Sequence, residues 1–199
     1  MIQSAAFITS YAAATCDFPK ELPEICMVGR SNVGKSSLIN GLCRQKGLAR
    51  VSNTPGRTRL LNLFEVSATE GAFYLVDLPG YGYQAGGSRI EAAAWQALAD
   101  GYLNATTRLK VAVHIVDIRH PPAALDVNLE RYLYHMRVPF MVVASKADKI
   151  ARSKIPQQLS VLDGCLGIGV ANIIPYSAET GYNLPLIAQT VLSRVYPPV

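Results

Sequence analysis

The run Gly29-Arg30-Ser31-Asn32-Val33-Gly34-Lys35-Ser36 carries glycine, glycine, lysine and serine at every fixed position of the pattern GxxxxGK[ST]. A short apolar run, residues 24–28, precedes it, and residues 36–43 after it have helical spacing. Strand, glycine-rich turn and helix in that order leave few folds open. The turn must bring a nest of backbone N–H groups and the start of a helix to one point, where they suit an anion. The two glycines let the backbone wrap closely around phosphate oxygens. Lys35 would neutralise the outer phosphates, and the Ser36 hydroxyl suits Mg²⁺.

The rest of the chain alternates buried-strand runs with helical stretches. Residues 60–66 and 72–76 flank turn residues 68–71 and read as a hairpin. Residues 90–103 are Ala-rich, with Ala94, Leu98 and Tyr102 at helical spacing, and 110–116 is a strand buried on both faces. Helix 125–136, strand 139–144, helix 155–166, strand 171–175 and helix 184–195 follow. Strands separated by helices predict an α/β fold: a mostly parallel, six-stranded sheet covered on both faces, hence three layers.

Two further segments fall at the same edge of such a sheet, where ligands bind. Asp77-Leu78-Pro79-Gly80 ends a strand, so the Asp77 carboxylate can serve Mg²⁺ through a water, and Gly80 offers an N–H to a terminal phosphate. Ser145-Lys146-Ala147-Asp148 ends the strand 139–144. A carboxylate there can accept from both N1–H and the N2 amine of guanine, and adenine has no donor at those positions. The Lys146 stem can lie over the base face. Tyr176-Ser177-Ala178, after the last strand, is placed to close the other side of the base with a backbone N–H.

The net charge of +5 is concentrated in one place. Residues 41–60 hold Arg44, Lys46, Arg50, Arg57 and Arg59 and no acid, so the rest of the chain balances its 14 acidic residues. A local positive field of that kind suits a polyanion such as RNA, or the charges are solvated or attend the nucleotide. No apolar run reaches the roughly 20 residues of a membrane span. Residues 1–15 are apolar but lack the basic start of a signal peptide, so residues 1–22 are read as an N-terminal strand or arm and 23–199 as the domain. Cys16, Cys26, Cys43 and Cys165 form no CxxC pair, which suits reduced thiols in the cytoplasm. His114 lies inside a buried run and His120 in a Pro-rich turn, where packing and turn roles fit better than metal ligation.

Taken in order, these motifs resemble the five guanine-nucleotide motifs of translation-factor-related GTPases. Thr54-Pro55-Gly56-Arg57-Thr58, Leu63-Phe64-Glu65-Val66, Asp77-Leu78-Pro79-Gly80-Tyr81-Gly82-Tyr83 and Asp117-Ile118-Arg119-His120-Pro121 narrow the resemblance to the EngB family of ribosome-biogenesis GTPases. That family belongs to the TrmE-Era-EngA-EngB-Septin-like class. The resemblance implies a P-loop NTPase G domain that binds GTP and GDP with Mg²⁺ and assists large-subunit assembly, with a link to cell division and septation. It implies rRNA as the polyanion, with neither DNA nor membrane as partner, and a monomer. Thr58 becomes the threonine that joins Ser36 on Mg²⁺, with Thr54 its rival, and Gly56, Arg57, Thr58, Arg59 and Leu60 the first switch segment. Gly80 to Tyr83 begins the second switch, and the pair Gly86-Gly87 suggests mobility there.

Two departures from the commoner pattern matter. Tyr81 stands where Ras-like proteins carry the water-orienting glutamine, so no residue takes a catalytic role with certainty and hydrolysis should be slow. Asn32 stands where potassium-stimulated relatives hold a monovalent cation, and it equally suits a hydrogen bond to the switch backbone. Ser145 replaces the usual asparagine or the family's threonine, so it bonds locally rather than to the base, and affinity should be modest. Two other readings are a guanine-nucleotide-dependent binding module without turnover, and a small P-loop kinase. The kinase fits neither Ser145 to Asp148 nor the first switch segment.

Overall fold

The computed structural model describes residues 1–12, 17–49, 60–82 and 89–197. Among the described residues seven strands form one sheet: β1 (Ile2–Tyr11), β2 (Glu24–Gly29), β3 (Leu61–Ala68), β4 (Gly71–Asp77), β5 (Leu109–Asp117), β6 (Phe140–Ser145) and β7 (Ile173–Pro175), in the order β1-β3-β4-β2-β5-β6-β7. The strands β4, β2, β5, β6 and β7 run parallel. β3 and β1 add an antiparallel flank, with β3 and β4 joined by the tight turn at Thr69 and Glu70. The expected six strands are therefore seven. Ile2–Tyr11 pairs antiparallel along β3 at the sheet edge, where the open ladder of β3 supplies its backbone partners.

Among the described residues five α-helices cover the sheet: α1 (Lys35–Leu42), α2 (Arg89–Ala105), α3 (Ala124–His135), α4 (Ile155–Leu166) and α5 (Leu184–Val195). The period of two along each strand decides which face they meet. Ile25, Met27, Val113, Ile115 and Val143 point to one side, where α1 contributes Leu38, Ile39 and Leu42 and α5 contributes Ile187, Val191 and Val195. Cys26, Val28, Tyr74, Val76 and Ala112 point to the other and pack on Leu98 and Tyr102 of α2 and Leu129 and Leu133 of α3. Val142, Ala144 and Ile173 continue that side against Ile155 and Leu162 of α4. Strands covered on both faces read as continuous apolar runs, which explains why they were visible in sequence. Among the described residues no helix is long and apolar enough to cross a membrane.

Candidate nucleotide site at the carboxyl edge of the sheet

The loop between β2 and α1 is shaped by two left-handed residues. Asn32 has φ 61° and Gly34 φ 105°, and Gly34 caps α1. An L side chain at Gly34 would be strained, and at Gly29 a Cβ would lie 2.7 Å from the Ile115 carbonyl oxygen, so glycine is required at both for different reasons. The first N–H groups of a helix have no partner within it, so the start of α1 presents donors to the loop's concavity. Lys35 and Ser36 occupy the first turn of α1.

Parallel pairing places Met27 opposite Asp77, so β4 delivers its aspartate beside the loop. Lys35 Nζ forms an ion pair with Asp77 Oδ1, with both side chains largely buried. Asn62 of β3, opposite Asp77 in register, donates to its second oxygen at 3.4 Å. Ser10 of β1 donates to Asn62 Oδ1 at 2.7 Å, which turns the amide nitrogen toward Asp77. The edge strand thus orients a residue beside the site. Sequence reading missed both, because Ser10 and Asn62 acquire a role only through strand register.

Leu78 is buried and its N–H donates to the Met27 carbonyl. The Pro79 carbonyl accepts from Trp95 Nε1 at 2.7 Å. Gly80 lies against the loop so closely that a Cβ would sit 2.9 Å from Ser31 N and Cα. Arg30 is exposed and bridges Tyr81 main chain to main chain.

On the other side, Ser145 ends β6 and is buried. Its hydroxyl lies 2.6 Å from the Val33 carbonyl and 2.9 Å from that of Val116. The local bonding expected of this serine is therefore to the phosphate-loop backbone itself. Lys146 takes a left-handed conformation, φ 62°, and its ammonium donates to the Asn32 carbonyl at 2.8 Å and pairs with Asp117 at 3.0 Å. Burial alone would raise the Asp117 carboxyl, but the bonds from Arg119 and Lys146 outweigh it and hold the group well below the usual carboxylate range. Ala147 is buried, and its N–H donates to the Tyr176 carbonyl, while Tyr176 N–H donates to that of Ala144. Asp148 accepts from Ser177 Oγ at 2.7 Å and pairs with Lys149; these bonds, the first foremost, lower its pKa. Ala178 is exposed in the turn that follows. The segment Tyr176 to Ala178 is expected to offer a backbone N–H to the base; the Ser177 N–H donates to the Tyr182 carbonyl, and its hydroxyl holds Asp148. Asp117 stands in a segment the sequence singled out, yet its grip on Lys146 needed the β5–β6 register to be seen.

The structure thus brings Gly29 to Ser36, Asp77 to Gly80, Ser145 to Asp148 and Tyr176 to Ala178 to one edge of the sheet. Gly56, Arg57, Thr58 and Arg59 lie outside the described residues, as do Thr54, Arg50 and Gly86-Gly87; Leu60 is exposed just before β3. Arg44 and Lys46 are exposed on the segment after α1, which Asn40 pins by bonding both the N–H and the carbonyl of Ala49. The anion-binding site needs a hard-oxygen donor set beside it to take Mg²⁺, and the hydroxyl of Ser36 and carboxylate of Asp77 are of that kind. Among the described residues no cluster of three His, Cys, Asp or Glu offers a metal site built from protein alone, so an ion here would draw most of its ligands from phosphate and water.

A phosphate loop after β2, an aspartate at the end of the neighbouring parallel strand and a lysine-aspartate segment after β6 make this a P-loop GTPase of the G-domain type. Residues 24–146 match the model of a family described as 50S ribosome-binding GTPase. The probable GTP-binding protein EngB of Pelotomaculum thermopropionicum is 49% identical over 181 residues, spanning 90% of this chain and 89% of that protein. Its counterpart in Heliobacterium modesticaldum is 43% identical over 183 residues, 91% and 87% of the two chains. The chain belongs to the EngB family of GTP-binding proteins, and it is a GTPase. The fold agrees with the crystal structure of a probable GTP-binding protein EngB, with TM-score 0.71 and 24% identity over 88% of this chain and 100% of that one. It also agrees with Era in complex with MgGDPNP and nucleotides 1506-1542 of 16S ribosomal RNA, with TM-score 0.70 and 22% identity over 86% and 56%.

Proposed function

We propose that this GTPase is a nucleotide-controlled switch in assembly of the large ribosomal subunit, acting as a cytoplasmic monomer and supporting cell division and septation through ribosome supply. The observation that carries the reading is the match of residues 24–146 to a family described by 50S ribosome binding. In this reading the loop from Gly29 to Ser36 cradles the phosphates, with Lys35 as counter-charge. Asp148, held by Ser177, selects guanine, and Lys146, held by Asp117, lies over the base. Mg²⁺, when bound, would neutralise phosphate charge, and Ser36, Thr58 and, through a water, Asp77 are the residues that would hold it. Asp77 pairs with Lys35, so the side chains that would serve the ion and the phosphates hold each other at the site.

Hydrolysis is slow in this reading because Tyr81 offers no group to orient water: its hydroxyl is buried away from the loop. Asn32 can hold a potassium ion near the phosphates, which would raise the rate. Arg44 and Lys46, exposed beside the first switch segment, and Arg50, Arg57 and Arg59 meet rRNA phosphates when GTP orders that segment. The test is sedimentation with purified large and small subunits in GDP or a non-hydrolysable GTP analogue, with Lys35→Ala as control. Large-subunit binding favoured by the analogue is expected; no sedimentation in either state would overturn the ribosomal role. Hydrolysis assayed in potassium and in sodium tests the cation.

A further inference from the structure

The residue after Gly80 leads into a cluster of charge that none of the roles above uses. Tyr81 is buried, and its hydroxyl lies 2.6 Å from His114 Nε2 of β5 and 2.7 Å from Asp126 Oδ1 of α3. His114 Nδ1 meets Glu130 Oε1, one turn further along α3. All four side chains are buried, with His114 at 0% exposure. Asp126 Oδ2 accepts from the Ala123 N–H, closing the start of α3, whereas Glu130 Oε2 has no hydrogen-bond partner among the described residues.

The hydrogen-bond count constrains where the protons of this cluster sit. Tyrosine has one proton, so it donates either to Asp126 or to His114. If it serves Asp126, His114 Nε2 must itself carry a proton to bond the tyrosine oxygen, while Nδ1–H serves Glu130. Where both carboxylates are ionised, the imidazolium satisfies every contact and the neutral ring leaves one unmade. Burial works against the charged ring, but the pull of Asp126 and the contact with Glu130 prevail and raise its pKa. The charged groups around His114 are Asp126 and Glu130 on α3, with Arg30 of the phosphate loop acting on Tyr81 from the far side.

The cluster reaches the nucleotide site through main chain. Ser31 N–H donates to the Tyr81 carbonyl at 3.0 Å, and Tyr81 N–H to the Gly29 carbonyl at 3.3 Å. Gly80 is clamped between this bridge and Ser31, and Trp95 stacks edge-on against the Tyr81 ring at 5.1 Å. Gly82, at φ 70°, is the next residue able to turn. We infer that Tyr81 is a positioning residue, anchored by His114, Asp126 and Glu130, that sets the height of the Gly80 amide above the phosphate loop and so the preference for three phosphates over two. The inference rests on the nucleotide reading of the site. The main-chain bonds of Tyr81 to Gly29 and Ser31 stay in place when its hydroxyl is lost, whereas a terminal phosphate must be met by Gly80 at its proper height. Loss of the anchor therefore falls on the triphosphate alone.

The experiment uses the full chain and fluorescently labelled GDP and β,γ-imido GTP with Mg²⁺. Tyr81→Phe removes one oxygen and keeps the ring on Trp95. The imido-GTP dissociation constant is expected to rise roughly tenfold, the size of one hydrogen bond to a charged group, with GDP affinity within about twofold of wild type. Equal changes for both nucleotides, or none, with a lowered melting temperature would show a structural role only and overturn the inference. Should that variant not fold, the wild-type His114 ring carries the test by nitrogen-edited NMR. Its shifts are expected to differ between the GDP and imido-GTP complexes, and identical shifts would overturn the coupling. If wild type binds neither nucleotide, the reading of the site itself has failed.

Discussion

Removing the Ser145 hydroxyl tests how the base side and the phosphate side are joined. The oxygen is buried, 2.6 Å from the Val33 carbonyl, and bridges residues 112 apart in sequence. Its single proton serves Val33 or Val116, and the shorter contact is the one to the phosphate loop. Ser145→Ala leaves a buried carbonyl without this donor, at a cost of about 1–3 kcal/mol, and opens too little space for water to replace it. For a chain of this size, about 2 kcal/mol corresponds to a melting temperature roughly 4–8 °C lower. Part of that cost should appear in binding, because the loop is no longer held in its left-handed shape at Asn32 and Gly34. A rise of roughly fivefold in the GDP dissociation constant, about 1 kcal/mol, is expected. Calorimetry of the nucleotide-free protein and titration with GDP read the two effects separately. A melting point within about 1 °C of wild type and unchanged GDP affinity would refute the reasoning.

Lys35→Ala leaves Asp77 buried without its cation and the phosphates without theirs. GDP affinity should fall by about 3 kcal/mol or more, read by titration calorimetry. Asp148→Asn reverses the hydrogen-bond pattern at the base; GDP should weaken by about 2 kcal/mol and xanthosine diphosphate should now compete, as measured by displacement. Arg57→Glu with Arg59→Glu should reduce ribosome sedimentation while GDP binding stays near wild type, and should flatten the salt dependence of the ribosome complex. Stability should depend on pH through the cluster at Tyr81. His114 has a raised pKa in the folded state, so its contribution is complete below the ordinary value of 6.5 and fades as pH rises through the raised value. Asp126 is lowered despite burial, chiefly by the nearby His114 and then by the Tyr81 hydroxyl, so its share is present above 3.8 and fades as pH falls. Melting scans should show the alkaline loss in wild type and not in His114→Gln.

The sequence by itself determined the sheet and the main loops of the site. Continuous apolar runs such as residues 110–116 betray strands covered on both faces, and fixed glycine and lysine positions betray a loop whose backbone must meet an anion. Helices 155–166 and 184–195 were readable to the residue because proline opens them and their apolar spacing is regular. What it could not determine were contacts made by register and by crossing. Ile2–Tyr11 has no partner in sequence until β3 offers its edge, and Ser10 and Asn62 orient Asp77 only once that pairing exists. His114 looked like core packing because its neighbours along β5 are apolar. Only the placement of α3 across β5 sets Asp126 and Glu130 against it and draws Tyr81 inward, since a buried charge can be held only where the fold brings opposite charges to it.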